Sequence, residues 1–108
     1  MPNASARIPL RIRTTEPKVR GANRTFARDV TMGRGAQCDI RIESGLVSRV
    51  HAGIEYTDGR WWVYDDNSTN GTFLDGNSID RVPLPAEATL QLGKDGPTFE
   101  LSMEGRAV

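Results

Sequence analysis

This chain has one cysteine, Cys38, and one histidine, His51. A lone thiol excludes an internal disulfide and suits a reducing compartment, so a cytoplasmic location is the default expectation. Nowhere do about 18 apolar residues run together, as a spanning helix requires, and the N-terminal MPNASARIPLRIR has no apolar signal-peptide core. Direct membrane insertion is therefore not expected. Charge of one sign is not in excess either: 14 Lys and Arg balance 14 Asp and Glu. That balance removes the global basic field that favours nucleic acid or anionic lipid. No window of a dozen residues carries apolar side chains at i, i+3, i+4 and i+7, so no amphipathic helix is predicted. At 108 residues there is no room for a second domain.

Period-two alternation is what the chain has instead. Ile8, Leu10 and Ile12 alternate with polar partners or Pro9; so do Ala52, Ile54 and Tyr56, then Leu90 and Leu92, then Phe99, Leu101 and Met103. These read as half-buried strands. Pro9 offers no ladder donor, which predicts an edge position or a bulge for the first strand. Shorter strands are predicted over residues 24–26, 30–33, 40–42, 60–65 and 72–74. Asp58-Gly59 and Asp75-Gly76 are dipeptides that close tight hairpins with positive φ at both central positions. In RWWVY, Trp61 and Val63 share one face and Trp62 and Tyr64 the other, and either face could be core. The expected fold class is an all-β sandwich of two sheets.

Charge is uneven along the chain. Residues 1–34 hold eight basic side chains (Arg7, Arg11, Arg13, Lys18, Arg20, Arg24, Arg28 and Arg34) against Glu16 and Asp29. Arginine supplies most of the cationic groups, which suits bidentate phosphate or carboxylate recognition. Three polar loops interrupt the strands: MGRGAQ at 32–37, LVSRVH at 46–51 and NSTNGT at 67–72. Taken singly, each reads as an ordinary turn.

Together and in this order, Gly33-Arg34, Ser48-Arg49-x-His51 and Ser68-Thr69-Asn70-Gly71-Thr72 resemble the forkhead-associated (FHA) domain, a phosphothreonine-peptide binding module. The resemblance covers residues 8–103, with an N-terminal tail at 1–7 and, at 104–108, a C-terminal tail or the start of a linker. It implies a β-sandwich of about eleven strands whose loops at one end grip the peptide. It also implies a threonine preference through a small methyl pocket, and reading of residues after the phosphothreonine by neighbouring loops. Asp66 and Asn67 depart from the family's usual apolar and small residues before Ser68, which bears on the charge of the rim.

A phosphothreonine carries about −1.5 to −2 charge and three acceptor oxygens, so it calls for a fixed guanidinium, hydroxyls and backbone N–H groups. By position in the motif, Arg34 and Ser48 meet the phosphate, Thr69 adds a donor, Arg49 reaches phosphate or peptide main chain, and Asn70 holds the ligand backbone through its amide. Gly33, His51 and Gly71 support the site; His51 is expected to brace Ser48 between loops, and Gly71 to adopt a conformation that side chains disfavour. Leu46, Val47 and Asn67, with the 94–96 loop, are the expected specificity rim.

Rival chemistries fare worse. A hydrolase would need Ser48, His51 and Asp65 as a triad, but there is no G-x-S-x-G elbow, and a Ser and His three residues apart on one short loop rarely align. A calcium loop starting at Asp66 fails at its twelfth position, which is Asn77 where a bidentate Glu is needed. No catalytic residue, metal or cofactor is therefore expected, and no nucleic acid. The alternative binding class is a sandwich that recognises proteins without phosphate. The expected partner is a threonine-phosphorylated protein, a serine/threonine kinase or its substrate. The start at Met1 and the close at LGKDGPTFEL loosely resemble an N-terminal regulatory module of a larger bacterial protein such as an ABC transporter, which would tether the domain to a membrane.

Overall fold

A computed structural model describes residues 7–104. Among the described residues there are twelve strands: β1 (Leu10–Arg13), β2 (Val19–Arg20), β3 (Arg24–Phe26), β4 (Val30–Gly33), β5 (Ile40–Ile42), β6 (Ala52–Thr57), β7 (Arg60–Asp65), β8 (Thr72–Leu74), β9 (Asn77–Ser78), β10 (Arg81–Pro83), β11 (Glu87–Leu92) and β12 (Thr98–Met103). One six-stranded sheet runs β3-β1-β12-β11-β8-β9 and the other β10-β7-β6-β4-β5-β2. The two inner faces meet in one core. Leu10, Ile12, Leu90, Leu92, Phe99 and Leu101 face Val30, Met32, Ile40, Ile42, Ile54, Trp61 and Val63. Each side chain of this size removed from water contributes about 1.5–3 kcal/mol.

Alternation decides which faces turn inward. Trp61 and Val63 are fully buried, whereas Trp62 and Tyr64 stand half-buried on the outer face. Trp61 keeps its indole N–H satisfied by donating to the Ile8 carbonyl at 2.6 Å. Outside, the Arg81 guanidinium lies 4.2 Å from the Trp62 ring centre, so the second tryptophan is covered by a cation and not by core. The Asp58-Gly59 and Asp75-Gly76 hairpins have φ of 55° and 79°, and of 49° and 86°, as their strand registers require.

The position expected for the first strand is corrected. β1 begins after Pro9 and lies inside its sheet, between β3 and β12. Pro9 precedes the ladder and its missing donor costs nothing, while its carbonyl accepts from Glu104 at 2.8 Å. β2, β9 and β10 are strands that alternation did not reveal: β2 and β9 have two residues each, and β10 ends on Pro83 at the edge of its sheet. The outer parts of the expected tails, residues 1–6 and 105–108, lie outside the described residues.

Candidate functional site

Three inter-strand loops, 34–39, 43–51 and 66–71, are tied together by hydrogen bonds. The Arg34 and Gly35 amides donate to the carbonyls of Ser48 and Arg49, each at 2.9 Å, which clamps the first loop on the second. That approach is close: a Cβ at Gly33 would overlap the Arg49 carbonyl. The second and third loops meet where the Thr69 amide donates to Ser48 Oγ at 3.1 Å and Asn70 Nδ2 to the Leu46 carbonyl at 3.0 Å.

His51 is the buried joint between them. Its Nδ1 accepts from the Ser48 amide at 3.0 Å, so the ring proton sits on Nε2, which donates to the Gly71 carbonyl at 2.7 Å. The imidazole is completely buried and makes both bonds to backbone, so it does not touch the Ser48 hydroxyl. A Ser48–His51 nucleophile and base pair is absent from this arrangement, because the ring is committed elsewhere.

Asp65, at the end of β7, shapes the third loop. Its carboxylate accepts from the Ser68 amide at 3.1 Å, from the Ser68 hydroxyl, and from the Thr72 hydroxyl at 2.6 Å. Burial pushes its pKa up, but these donors outweigh burial and hold it below the usual carboxylate value. Ser68 Oγ in turn accepts from the Gly71 amide at 2.9 Å. The loop closes with Gly71 at φ 86°, a left-handed conformation that costs a side-chain-bearing residue more than glycine.

The result is a cleft of about 320 Å³ lined by Arg34, Gly45, Leu46, Val47, Ser48, Arg49, Thr69 and Asn70. Arg34 is oriented by Nε, which donates to the Val47 carbonyl at 2.8 Å. That bond leaves the two terminal nitrogens of the guanidinium for a ligand. Ser48 Oγ, occupied as an acceptor by Thr69, keeps its own proton to donate. Asn70 retains its carbonyl oxygen and one N–H. All five residues read from sequence as peptide contacts therefore line one opening, with Gly33, His51 and Gly71 behind it.

The rim differs from expectation in two places. Leu46 is 41% exposed and borders the cleft, whereas Val47 is 2% exposed. Val47 turns its side chain into the core, and its carbonyl accepts from Arg34 at the cleft. Asn67 sits exposed on the preceding turn at φ 52°, outside the residues lining the cleft. The 93–96 loop does reach the area. The Gly93 amide donates to the Gly71 carbonyl at 2.8 Å, and Asp95 and Gly96 line, with Leu46, a neighbouring groove of about 290 Å³. Sequence reading missed the structural work of Asp65 and of the Leu46 and Val47 carbonyls. Asp65 standing three residues before Ser68 was a usable signal; a carbonyl is the same in every residue and gives none.

Two sheets packed face to face, with a cleft built from three loops at one end, define the class. The chain belongs to the FHA domain family, whose profile matches residues 30–93. It is 33% identical over 86 residues to the ABC transporter ATP-binding/permease protein Rv1747 of Mycobacterium tuberculosis, a match covering 77% of this chain and 10% of the transporter. This chain thus spans about a tenth of that relative's length. The crystal structure of the Rv1747 FHA-1 domain superposes with a TM-score of 0.75 at 31% identity, covering 91% of this chain and 97% of that one. A structure from a study of phosphothreonine-dependent FHA domain interactions superposes at 0.74 with 23% identity, covering 91% and 99%, a likeness of fold.

Proposed function

We propose that the chain is a phosphothreonine-dependent peptide-binding module of serine/threonine-kinase signalling, and that it regulates a larger bacterial protein. The observation that carries this reading is the donor set of one open cleft: the free end of Arg34, the Ser48 hydroxyl, Thr69, Arg49 and the Asn70 amide. Such a set neutralises and hydrogen-bonds a dianion, and a bare hydroxyl cannot replace that ligand. The module is a binder and not an enzyme, which the commitment of His51 to backbone supports. Its partner is a threonine-phosphorylated kinase or kinase substrate. The kinship to a transporter supports a cytoplasmic module tethered to the membrane through the rest of a longer chain. Among the described residues no helix is long and apolar enough to cross a membrane.

Isothermal titration against a phosphothreonine peptide library at one ionic strength tests this. Binding in the micromolar range, about −8 kcal/mol, is expected, with none detected for the unphosphorylated forms. Equal binding of both forms would instead establish a phosphate-independent interaction domain.

A further inference from the structure

The β5 and β2 edge carries a pair of cations that the cleft does not use. Antiparallel register sets Arg20 opposite Arg41, so the two side chains leave the same face with Cβ atoms roughly 4.5–5.5 Å apart. Both are exposed, while the residues flanking Arg41 on β5, Ile40 and Ile42, point into the core. Like charges directly opposite destabilise a sheet pair unless something of opposite sign lies between them.

No ion pair among the described residues supplies that opposite sign. Ion pairs among the described residues involve Arg7, Arg28 and Arg81, and neither Arg20 nor Arg41. Every Asp and Glu of the sequence falls within the described residues. Asp39, two residues before Arg41, is held by Arg28 at 2.9 Å and by the Thr31 amide and hydroxyl. Glu43 leaves the same face as Arg41 but stands opposite Lys18, whose carbonyl accepts from the Glu43 amide at 3.0 Å.

The pair is also joined to the cleft. Arg41 Nε donates to the carbonyl of Arg34 at 3.3 Å, and Arg41 is in parallel register with Gly33, which presents no side chain beside it. Arginines 34, 41 and 20 therefore step from the cleft across β5 to β2, the edge strand of the sheet. Two strand spacings are about 10 Å, which an extended peptide covers in about three residues.

Resting on the phosphothreonine reading, we infer that Arg20 and Arg41 form a second anion subsite, which takes a carboxylate or phosphate carried by the same peptide a few residues from its phosphothreonine. The ligand class is a phosphothreonine peptide with a second anionic group, and the like-charge pair is the cost that this group relieves.

The test compares wild type with Arg20→Gln and Arg20→Gln/Arg41→Gln on phosphothreonine peptides in which one glutamate or one phosphoserine is walked through otherwise neutral flanks. At one or more positions the second anion should tighten wild-type binding about tenfold through charge-assisted hydrogen bonds. The gain should fall in the single variant and vanish in the double, while affinity for the neutral-flanked peptide stays within about threefold. A gain with glutamate identifies a carboxylate as sufficient; one confined to phosphoserine identifies phosphate. A gain at no position, or one that survives in the double variant, overturns the inference. Failure of the neutral-flanked peptide to bind wild type is a different result, which sinks the phosphothreonine reading. The free protein offers a check independent of that reading. Arg20→Gln should raise the thermal midpoint at low salt and lose the advantage near 1 M salt, where charges are screened beyond about 3 Å. A midpoint lowered by Arg20→Gln at low salt would show that the pair is not in repulsion, and would count against the subsite.

Discussion

Arg34, Ser48 and His51 show how differently neighbouring polar residues can serve one site. Arg34 is exposed at the cleft, Ser48 is partly covered, and His51 is completely buried with both ring nitrogens bonded to backbone. Truncating one side of a hydrogen-bonded charge pair costs about 2–5 kcal/mol of binding, so Arg34→Ala should weaken phosphopeptide affinity at least thirtyfold. Its effect on folding should stay near the ±0.5 kcal/mol typical of surface positions; titration and thermal melts on the same sample separate the two. His51→Ala strands the Ser48 amide and the Gly71 carbonyl, at about 1–3 kcal/mol for each buried group left unpaired. It should lower the midpoint as well as the affinity. Weakened binding with an unchanged midpoint would make His51 a ligand contact and not a brace. Leu46 is the exposed apolar residue at the rim, and its contact with a ligand is worth only ~1–3 kcal/mol. Leu46→Arg should shift preference toward an acidic residue near the phosphothreonine, and the shift should weaken with salt. A peptide array varied at single positions reads this directly; an unchanged preference would assign the reading to another loop.

Among the elements, the loop from β7 to β8 depends most on one charge. Asp65 accepts from Ser68 and Thr72, and its pKa is lowered in the folded protein despite burial. A group with a depressed folded pKa contributes stability above its unfolded value, near 3.9 for Asp, and that contribution is lost as pH falls through the lower folded value. Urea unfolding should therefore show a steep acid limb below about pH 4, and Asp65→Asn should flatten it while costing about 1–3 kcal/mol at neutral pH, because an amide cannot accept all three donors. Asp39 is lowered in the same direction: burial raises its pKa, but the Thr31 and Arg28 donors prevail. It will contribute to the same limb, so the comparison should include Asp39→Asn. Most strands were legible, including the three-residue β3, β5 and β8. The strands predicted at 24–26, 30–33, 40–42, 60–65 and 72–74 match β3, β4, β5, β7 and β8. The short β2, β9 and β10 were not legible, because pairing with a neighbour and not local pattern makes them strands.

For the whole molecule, ligand and fold are linked, because the cleft exists only when three loops distant in sequence are held by the sandwich. A ligand that binds only the folded state stabilises it by about 2.7 kcal/mol at a hundred times Kd. A domain of this size gains about 4–8 °C per kcal/mol. A saturating phosphothreonine peptide should raise the midpoint by roughly 10 °C or more, and its unphosphorylated form by nothing measurable; differential scanning fluorimetry separates these outcomes.

The sequence by itself determined the class of fold, through alternation and Asp-Gly turns, and the family, through three loop motifs in order. It also named Arg34, Ser48, Arg49, Thr69 and Asn70, five of the residues that line the cleft, since residue chemistry and motif position are local properties. Three things waited for the tertiary structure. Which face of RWWVY is core depended on the opposite sheet, with Trp61 and Val63 turned toward it and Trp62 covered by Arg81. The burial of the Val47 side chain in the core, with its carbonyl orienting Arg34, depended on how the 43–51 loop packs. And the alignment of Arg20 with Arg41 is a matter of strand register: residues 21 positions apart become neighbours only when β2 pairs with β5, and no local pattern carries that distance.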